Sequence, residues 1–207
     1  MKKIAIFGTS CNPIHNGHIQ TIQFVLNASN DFDEIWVTPC FKSIQNKSLV
    51  LSKHRLKMCE LAIENKIKIK IFDYEIRHRL DGKIIELIKL LKNDLEYKKY
   101  NFSMIIGQDN ANTFDSWVNY EELERMMRFV IIPRKGFERI DNVSWYLKPP
   151  HIFLNKEKTG IIEASSTELR KLMKSYWKTP TEKKKTKLLE KLDPKVFNYI
   201  QKNGLYK

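Results

Sequence analysis

The sequence has no apolar run approaching the roughly 18 residues that a membrane span requires, so no transmembrane helix and no membrane partner are expected. Cysteine is scarce: Cys11, Cys40 and Cys59 are odd in number and widely spaced. They offer neither a disulfide framework nor a zinc site, and a reducing, cytoplasmic setting is the expectation. Met1-Lys2-Lys3 leads straight into a strand pattern, with no signal or transit segment visible. No carboxylate cluster suggests a dedicated metal cage. Negative charge is short as well, with 24 Asp and Glu against 37 Lys and Arg, a formal net charge of +13. Such a surplus suits nucleic acid, an anionic surface or a polyphosphate substrate. The lysines are spread along the chain among Asn and Ile, which reads as compositional bias, and no nucleic-acid partner is expected.

What is present suits one globular domain over residues 1–207 with a substantial core, since 42% of residues are hydrophobic. Ile4, Ala5, Ile6 and Phe7 form a continuous apolar run, the pattern of a strand buried on both faces. Gly8, Thr9 and Ser10 follow, leaving backbone amides free at the strand's carboxyl end. Pro13 fixes a turn, His15 and His18 flank Gly17, and a helix starts at Asn16 with its N-terminus toward this loop. A strand end, free amides and a helix N-terminus together make an anion site, with phosphate as its occupant. Two imidazoles there can hydrogen-bond phosphate oxygens, from both nitrogens if charged.

The helix runs on through Ile19 to Asn27, and Glu34 to Thr38 is a second strand ended by Pro39. Strand, helix and strand in this length form a βαβ unit and demand a parallel sheet. Lys42, after the second strand, can reach into a cleft at the strand ends. Ser52 is expected to cap a helix over Lys53 to Asn65, with Arg55 in its first turn acting structurally through Glu75. Further strands are expected at Ile67–Phe72, Phe102–Ile106, Phe129–Pro133 and His151–Leu154, and further helices at Ile84–Leu95 and Glu121–Met127. Gly107 and Asp109 end the fourth strand. The glycine admits a nucleotide to the backbone and the carboxylate can accept from ribose hydroxyls, although an ordinary helix cap also accounts for Asp109. Trp117 alone reads as core, and Arg134 ends the fifth strand in a turn. Ser165, Ser166 and Thr167 open a late helix that carries Arg170 on the side of Thr167. Hydroxyls and amides at a helix start bind phosphate, while Ser165 with Glu168 also fits a capping box. Lys174 to Lys191 reads as a solvated linker and helix before the closing segment Leu192 to Tyr206.

Gly8-Thr9-Ser10-Cys11-Asn12-Pro13-Ile14-His15-Asn16-Gly17-His18 resembles the (G/T/S)-F-(D/N)-P-x-H-x-G-H signature of the HxGH nucleotidyltransferases. Ile161-Ile162-Glu163-Ala164-Ser165-Ser166-Thr167-Glu168-Leu169-Arg170 is similar to the Ile-Ser-Ser-Thr-x-(Ile/Leu)-Arg motif of the same superfamily. With Gly107-Gln108-Asp109-Asn110, Trp117 and the chain ending, the resemblance narrows to the bacterial-type nicotinate (nicotinamide) mononucleotide adenylyltransferases. It implies a Rossmann-like α/β fold: a doubly wound parallel sheet with helices on both faces and a C-terminal helical segment over about residues 165–207. The implied catalytic residues are His15, His18, Lys42 and Arg170. On the ATP side the resemblance places Gly8, Thr9, Ser10, Cys11, His18, Gly107, Asp109, Ser166, Thr167 and Arg170. Asn12, Lys42, Gly82, Trp117 and Arg134 fall to the mononucleotide. Three departures stand out. Thr9 replaces a second glycine, Cys11 replaces phenylalanine, and Leu80-Asp81-Gly82 stands where Gly-x-Ser-Tyr-Thr is usual.

The implied reaction joins ATP and nicotinate mononucleotide into deamido-NAD and pyrophosphate, with Mg²⁺ carried by ATP and a homo-oligomer left open. Two rivals remain at the level of sequence. One is another HxGH enzyme, a phosphopantetheine adenylyltransferase or a cytidylyltransferase. The other is a basic nucleic-acid-binding module with a relict pocket.

Overall fold

The computed structural model describes residues 1–44, 48–134, 136–154 and 164–207. Residues 161–163 of the late motif therefore lie outside the described residues. Six strands form one parallel sheet: β1 (Lys3–Thr9), β2 (Glu34–Pro39), β3 (Ile69–Ile71), β4 (Asn101–Gly107), β5 (Arg128–Ile132) and β6 (Ile152–Phe153), in the order β3-β2-β1-β4-β5-β6. The chain winds outward from β1 through β2 to β3, then returns to β4 on the other side. The switch point of this doubly wound sheet thus lies between the carboxyl ends of β1 and β4, where such folds bind ligands.

Burial on both faces explains the apolar runs. Ala5, Ile35, Val37, Ile105 and Val130 face one core, while Ile4, Ile6, Met104, Phe129 and Ile131 face the other. The first core is covered by α1 (Asn16–Ala28) and α2 (Ser52–Ile63), through Ile22, Val25, Met58 and Cys59. The second is covered by the short α3 (Tyr74–Arg77), by α4 (Ile84–Asn93) and by α6 (Tyr120–Met126), which follows the one-turn α5 (Gln108–Ala111). The terminal helices α7 (Ser166–Lys178), α8 (Glu182–Leu189) and α9 (Pro194–Lys202) return to the first core with Leu169, Met173, Leu188, Phe197 and Ile200. The lysine-rich stretch is therefore mostly helix, with its apolar residues turned inward.

Three local expectations are corrected. Ser52 is the first residue of α2 and not its cap; Leu51 holds that position without a side-chain bond, and the Ser52 hydroxyl accepts from Arg55 Nη2 at 3.2 Å. The third strand is cut to three residues because Ile67 is 93% exposed and the chain turns at Lys66, whose carbonyl accepts from Ile69 N. At α7, Ser165 occupies the cap position but its side chain makes no capping bond, so the expected capping box is not formed.

Candidate active site

The loop after β1 is braced from below. Cys11 is fully buried, with its backbone at φ 50°, and its amide donates to Thr9 Oγ1 at 3.3 Å. Its thiol lies in the core and burial raises that of Cys59 beside it, so neither has the exposure of a reactive sulfur. Asn12 is buried too, and its side chain is engaged three ways: Nδ2 donates to Ser48 O, while Oδ1 accepts from Val50 N and from the Tyr206 hydroxyl. Asn12, expected to touch the substrate, therefore spends its side chain as a brace of the loop. Arg55 is 1% exposed and donates to Ser10 O, Val50 O and Ser52 Oγ. It ties α2 to the loop directly, by bonds to main-chain carbonyls, and its charge works against the rise that burial imposes on the Glu75 carboxyl.

His15 and His18 form a reciprocal cap at the start of α1. The His18 amide donates to His15 Nδ1 at 3.4 Å and the His15 amide to His18 Nδ1 at 3.3 Å, with the rings stacked 3.6 Å apart. Both Nδ1 atoms accept, which assigns the proton of each neutral ring to Nε2. Burial, then His18, Arg134 and Lys191, lowers His15 to about 2; burial and Arg134 lower His18 to about 4. Both rings are therefore neutral at physiological pH, and each has one N–H to give rather than two. His18 Nε2 stands 3.4 Å from Thr9 Oγ1. The Asn16 amide of α1 donates to Lys191 O at 2.9 Å, so the C-terminal segment already uses one of the helix's free donors.

Around this pair stand the other strand ends. Gly107, at the end of β4, has no room for a Cβ because Asp109 Oδ1 occupies that space. Asp109 Oδ2 accepts from Arg134 Nη1 at 2.6 Å, and its buried Oδ1 has no hydrogen-bond partner among the described residues. Arg134, expected near the mononucleotide's phosphate, thus sits beside Asp109 and acts on both histidines. Lys42, beyond β2, pairs with Asp81 at 3.0 Å while exposed. Gly82, at φ +81°, lies so close to Lys42 that an added Cβ would come within 2.7 Å of its carbonyl oxygen. The two loops are locked together. At α7, Ser166 Oγ donates to Pro13 O at 2.9 Å. Arg170 donates through Nη1 to Asn12 O at 2.8 Å and through Nη2 to Thr167 Oγ1 at 3.1 Å. The two motifs, about 150 residues apart in sequence, are joined by these bonds. Trp117 is half-buried against Phe114, at 5.4 Å between ring centroids, and has no described contact with the histidine loop.

Sequence reasoning passed over Tyr206 and Lys191. Nothing in their local pattern signals a partner on the far side of the chain. Among the described residues no group of three or more His, Cys, Asp or Glu is placed to hold a metal, and no helix is long and apolar enough to cross a membrane.

The cytidylyltransferase-like family model matches residues 6–172. A nicotinate-nucleotide adenylyltransferase of Bacillus subtilis is 31% identical, covering 100% of this chain and 99% of its own. A probable nicotinate-nucleotide adenylyltransferase of Fusobacterium nucleatum is 34% identical over 91% of this chain and 97% of its own. Among solved structures, the Plasmodium falciparum nicotinic acid mononucleotide adenylyltransferase complexed with NaAD superposes with a TM-score of 0.82 at 28% identity, covering 100% and 98% of the two chains. The same enzyme complexed with APC gives 0.80. Strand order, joined motifs and full-length similarity agree, and the chain belongs to the cytidylyltransferase-like family, among its nicotinate-nucleotide adenylyltransferases.

Proposed function

We propose that the protein moves the adenylyl group of ATP onto the phosphate of nicotinate mononucleotide, releasing pyrophosphate and deamido-NAD, and that residues 1–207 act as one nucleotidyltransferase unit. An oxygen of the mononucleotide's phosphate attacks the α-phosphorus, and the bond to the β-phosphate's bridging oxygen breaks in line. The attacking phosphate has its second pKa at about 6 and is largely ionised at neutral pH, so no general base is needed. The work left is positioning and charge stabilisation.

The observation that carries this reading is the neutral His15–His18 pair fixed beside the Arg170-bearing start of α7. With both Nδ1 atoms occupied by main-chain amides, each Nε2–H is the ring's remaining donor for phosphoryl oxygens. Arg170 keeps N–H groups beyond the two it has committed, since a guanidinium has five. Ser166, Thr167 and the amides of Gly8, Thr9, Ser10 and Cys11 complete the ATP side. There Gly107 gives the ribose an approach, and the unpartnered Asp109 Oδ1 can accept its hydroxyl. Lys42 exchanges Asp81 for a phosphate, Gly82 and Trp117 serve the pyridine ring, and Arg134 serves phosphate from beside Asp109. Mg²⁺ would travel with ATP and offset triphosphate charge; among the described residues no cluster of His, Cys, Asp or Glu is placed to hold it.

Pyrophosphate release with ATP, Mg²⁺ and either nicotinate or nicotinamide mononucleotide tests the reading. The acid should be strongly preferred, and Arg170→Ala should lower kcat by about 10²-fold or more. Activity with neither mononucleotide would overturn it.

A further inference from the structure

The last three residues of the chain return to the catalytic loop. Leu205 N donates to Ile200 O at 3.1 Å, ending the turn after α9, and Trp177 Nε1 donates to Leu205 O at 2.9 Å. Lys207 Nζ lies 5.0 Å above the Trp177 ring. Between these two anchors Tyr206 takes the left-handed conformation, φ +63°, which a residue with a Cβ adopts at a cost. The conformation is held by contacts at both neighbours, and it sends the Tyr206 hydroxyl to Asn12 Oδ1 at 3.0 Å, across 194 residues of sequence. Asn12 is also where Arg170 is fastened, through its backbone carbonyl. Its next neighbours in the loop are Pro13, which receives Ser166, and the histidine pair. The Asn12 side chain thus braces the stretch of loop to which Arg170 and Ser166 are fastened and from which the histidine pair follows.

We infer that Tyr206 is a positioning residue for adenylyl transfer: its hydroxyl fixes Asn12, and through Asn12 the spacing between the histidine loop and Arg170. The inference rests on the adenylyltransferase reading above. Val50 N remains on Asn12 Oδ1 when the hydroxyl is gone, so removing it leaves no orphaned acceptor and the fold keeps its core. What changes is the alignment of the loop. Misplacement of reacting groups by even 1 Å can cost 10²-fold in rate.

The test compares Tyr206→Phe with Val196→Ala, a buried α9 residue in the same terminal segment, whose side chain is apolar. Tyr206→Phe is expected to lower kcat roughly tenfold, with KM for ATP and for the mononucleotide within about twofold. Its Tm should fall by only about 2–4 °C, as for one hydrogen bond in a chain of this size. Val196→Ala should lose as much Tm or more and keep kcat. Amide hydrogen exchange over residues 9–18 should quicken in Tyr206→Phe and not in Val196→Ala. An unchanged kcat in Tyr206→Phe, or kcat falling with Tm in both variants, would overturn the inference. A parent protein without turnover would instead fail the adenylyltransferase reading, and unchanged exchange in Tyr206→Phe would then overturn this inference on its own.

Discussion

Burial shifts two bases and one acid of the site in ways that oppose each other in pH. His15 and His18 fall from 6.5 to about 2 and about 4, so the folded chain binds fewer protons than the unfolded one below pH 6.5. Their contribution to stability is complete above pH 6.5 and is lost as pH falls through the interval toward 4 and below. Glu75 goes the other way. Burial raises it from 4.5 to about 7, against the Phe41 amide and Arg55, and its Oε2 has no hydrogen-bond partner among the described residues. Its contribution is complete below pH 4.5 and is lost as pH rises to 7. Between 4.5 and 6.5 two imidazoles outweigh one carboxyl, so the protein should lose stability on acidification in urea titrations. Glu75→Gln removes the opposing proton, which should steepen that loss. It should also stabilise the chain at pH 8, by up to about 3 kcal/mol for a shift of this size. Equal slopes for variant and parent would mean that Glu75 is not held protonated. Activity, by contrast, should show no histidine titration from pH 6.5 to 8, because neither ring titrates there, and should rise only slightly as the mononucleotide's phosphate completes its ionisation.

The elements that the sequence makes legible are those whose environment leaves no choice. β1, β2, β4 and β5 read as apolar runs because both faces are buried, and α4 reads by period because one side only meets the core. β3 is less legible: Ile67 to Phe72 has strand composition throughout, yet only Ile69–Ile71 lies in strand register with β2, flanked by single bonds at Lys68 O and Phe72 N. Caps fail for a related reason. Ser52 and Ser165 each have the residue type of a cap, but Ser52 lies one position inside the helix with its hydroxyl on Arg55, and the Ser165 side chain makes no capping bond. The fold joins the two motifs read from sequence through Ser166 and Arg170, while Asn12, Cys11 and Arg134 acquire their surroundings only from it. Gly82 shows how one element constrains another. Ala there would meet Lys42 O at 2.7 Å and would have to hold φ +81°. Gly82→Ala should cost about 1–2 kcal/mol from the backbone alone. It should also raise KM for the mononucleotide more than KM for ATP, because it pushes the Lys42 loop away from Asp81. Equal rises in both would place these loops elsewhere in the reaction.

Across the whole molecule, charge and closure work on the same cleft. The net charge of +13 is the sum of many exposed lysines. Around the site, however, cations stand in pairs with carboxylates: Lys42 with Asp81, Arg134 with Asp109, and Lys191 more loosely with Glu168 at 3.9 Å. Arg170 is different, bound to a carbonyl and a hydroxyl. Short-range attraction for a polyphosphate is therefore partly spent inside these pairs, and the surplus elsewhere acts at long range. Salt separates the two contributions. The screening length falls from about 30 Å at 0.01 M to about 3 Å at 1 M, which removes the distant field before the contacts. KM for ATP should rise severalfold over that range while kcat changes little, because the aligned groups are in contact with the phosphates. The fold should respond in the opposite sense: screening relieves the mutual repulsion of the surplus lysines, and Tm should rise with moderate salt. Measuring KM and Tm in one salt series distinguishes this from general destabilisation, in which KM rises as Tm falls. A KM for ATP independent of salt would show that the basic surplus does not reach the cleft, leaving Arg170 and the neutral histidines to capture the nucleotide alone.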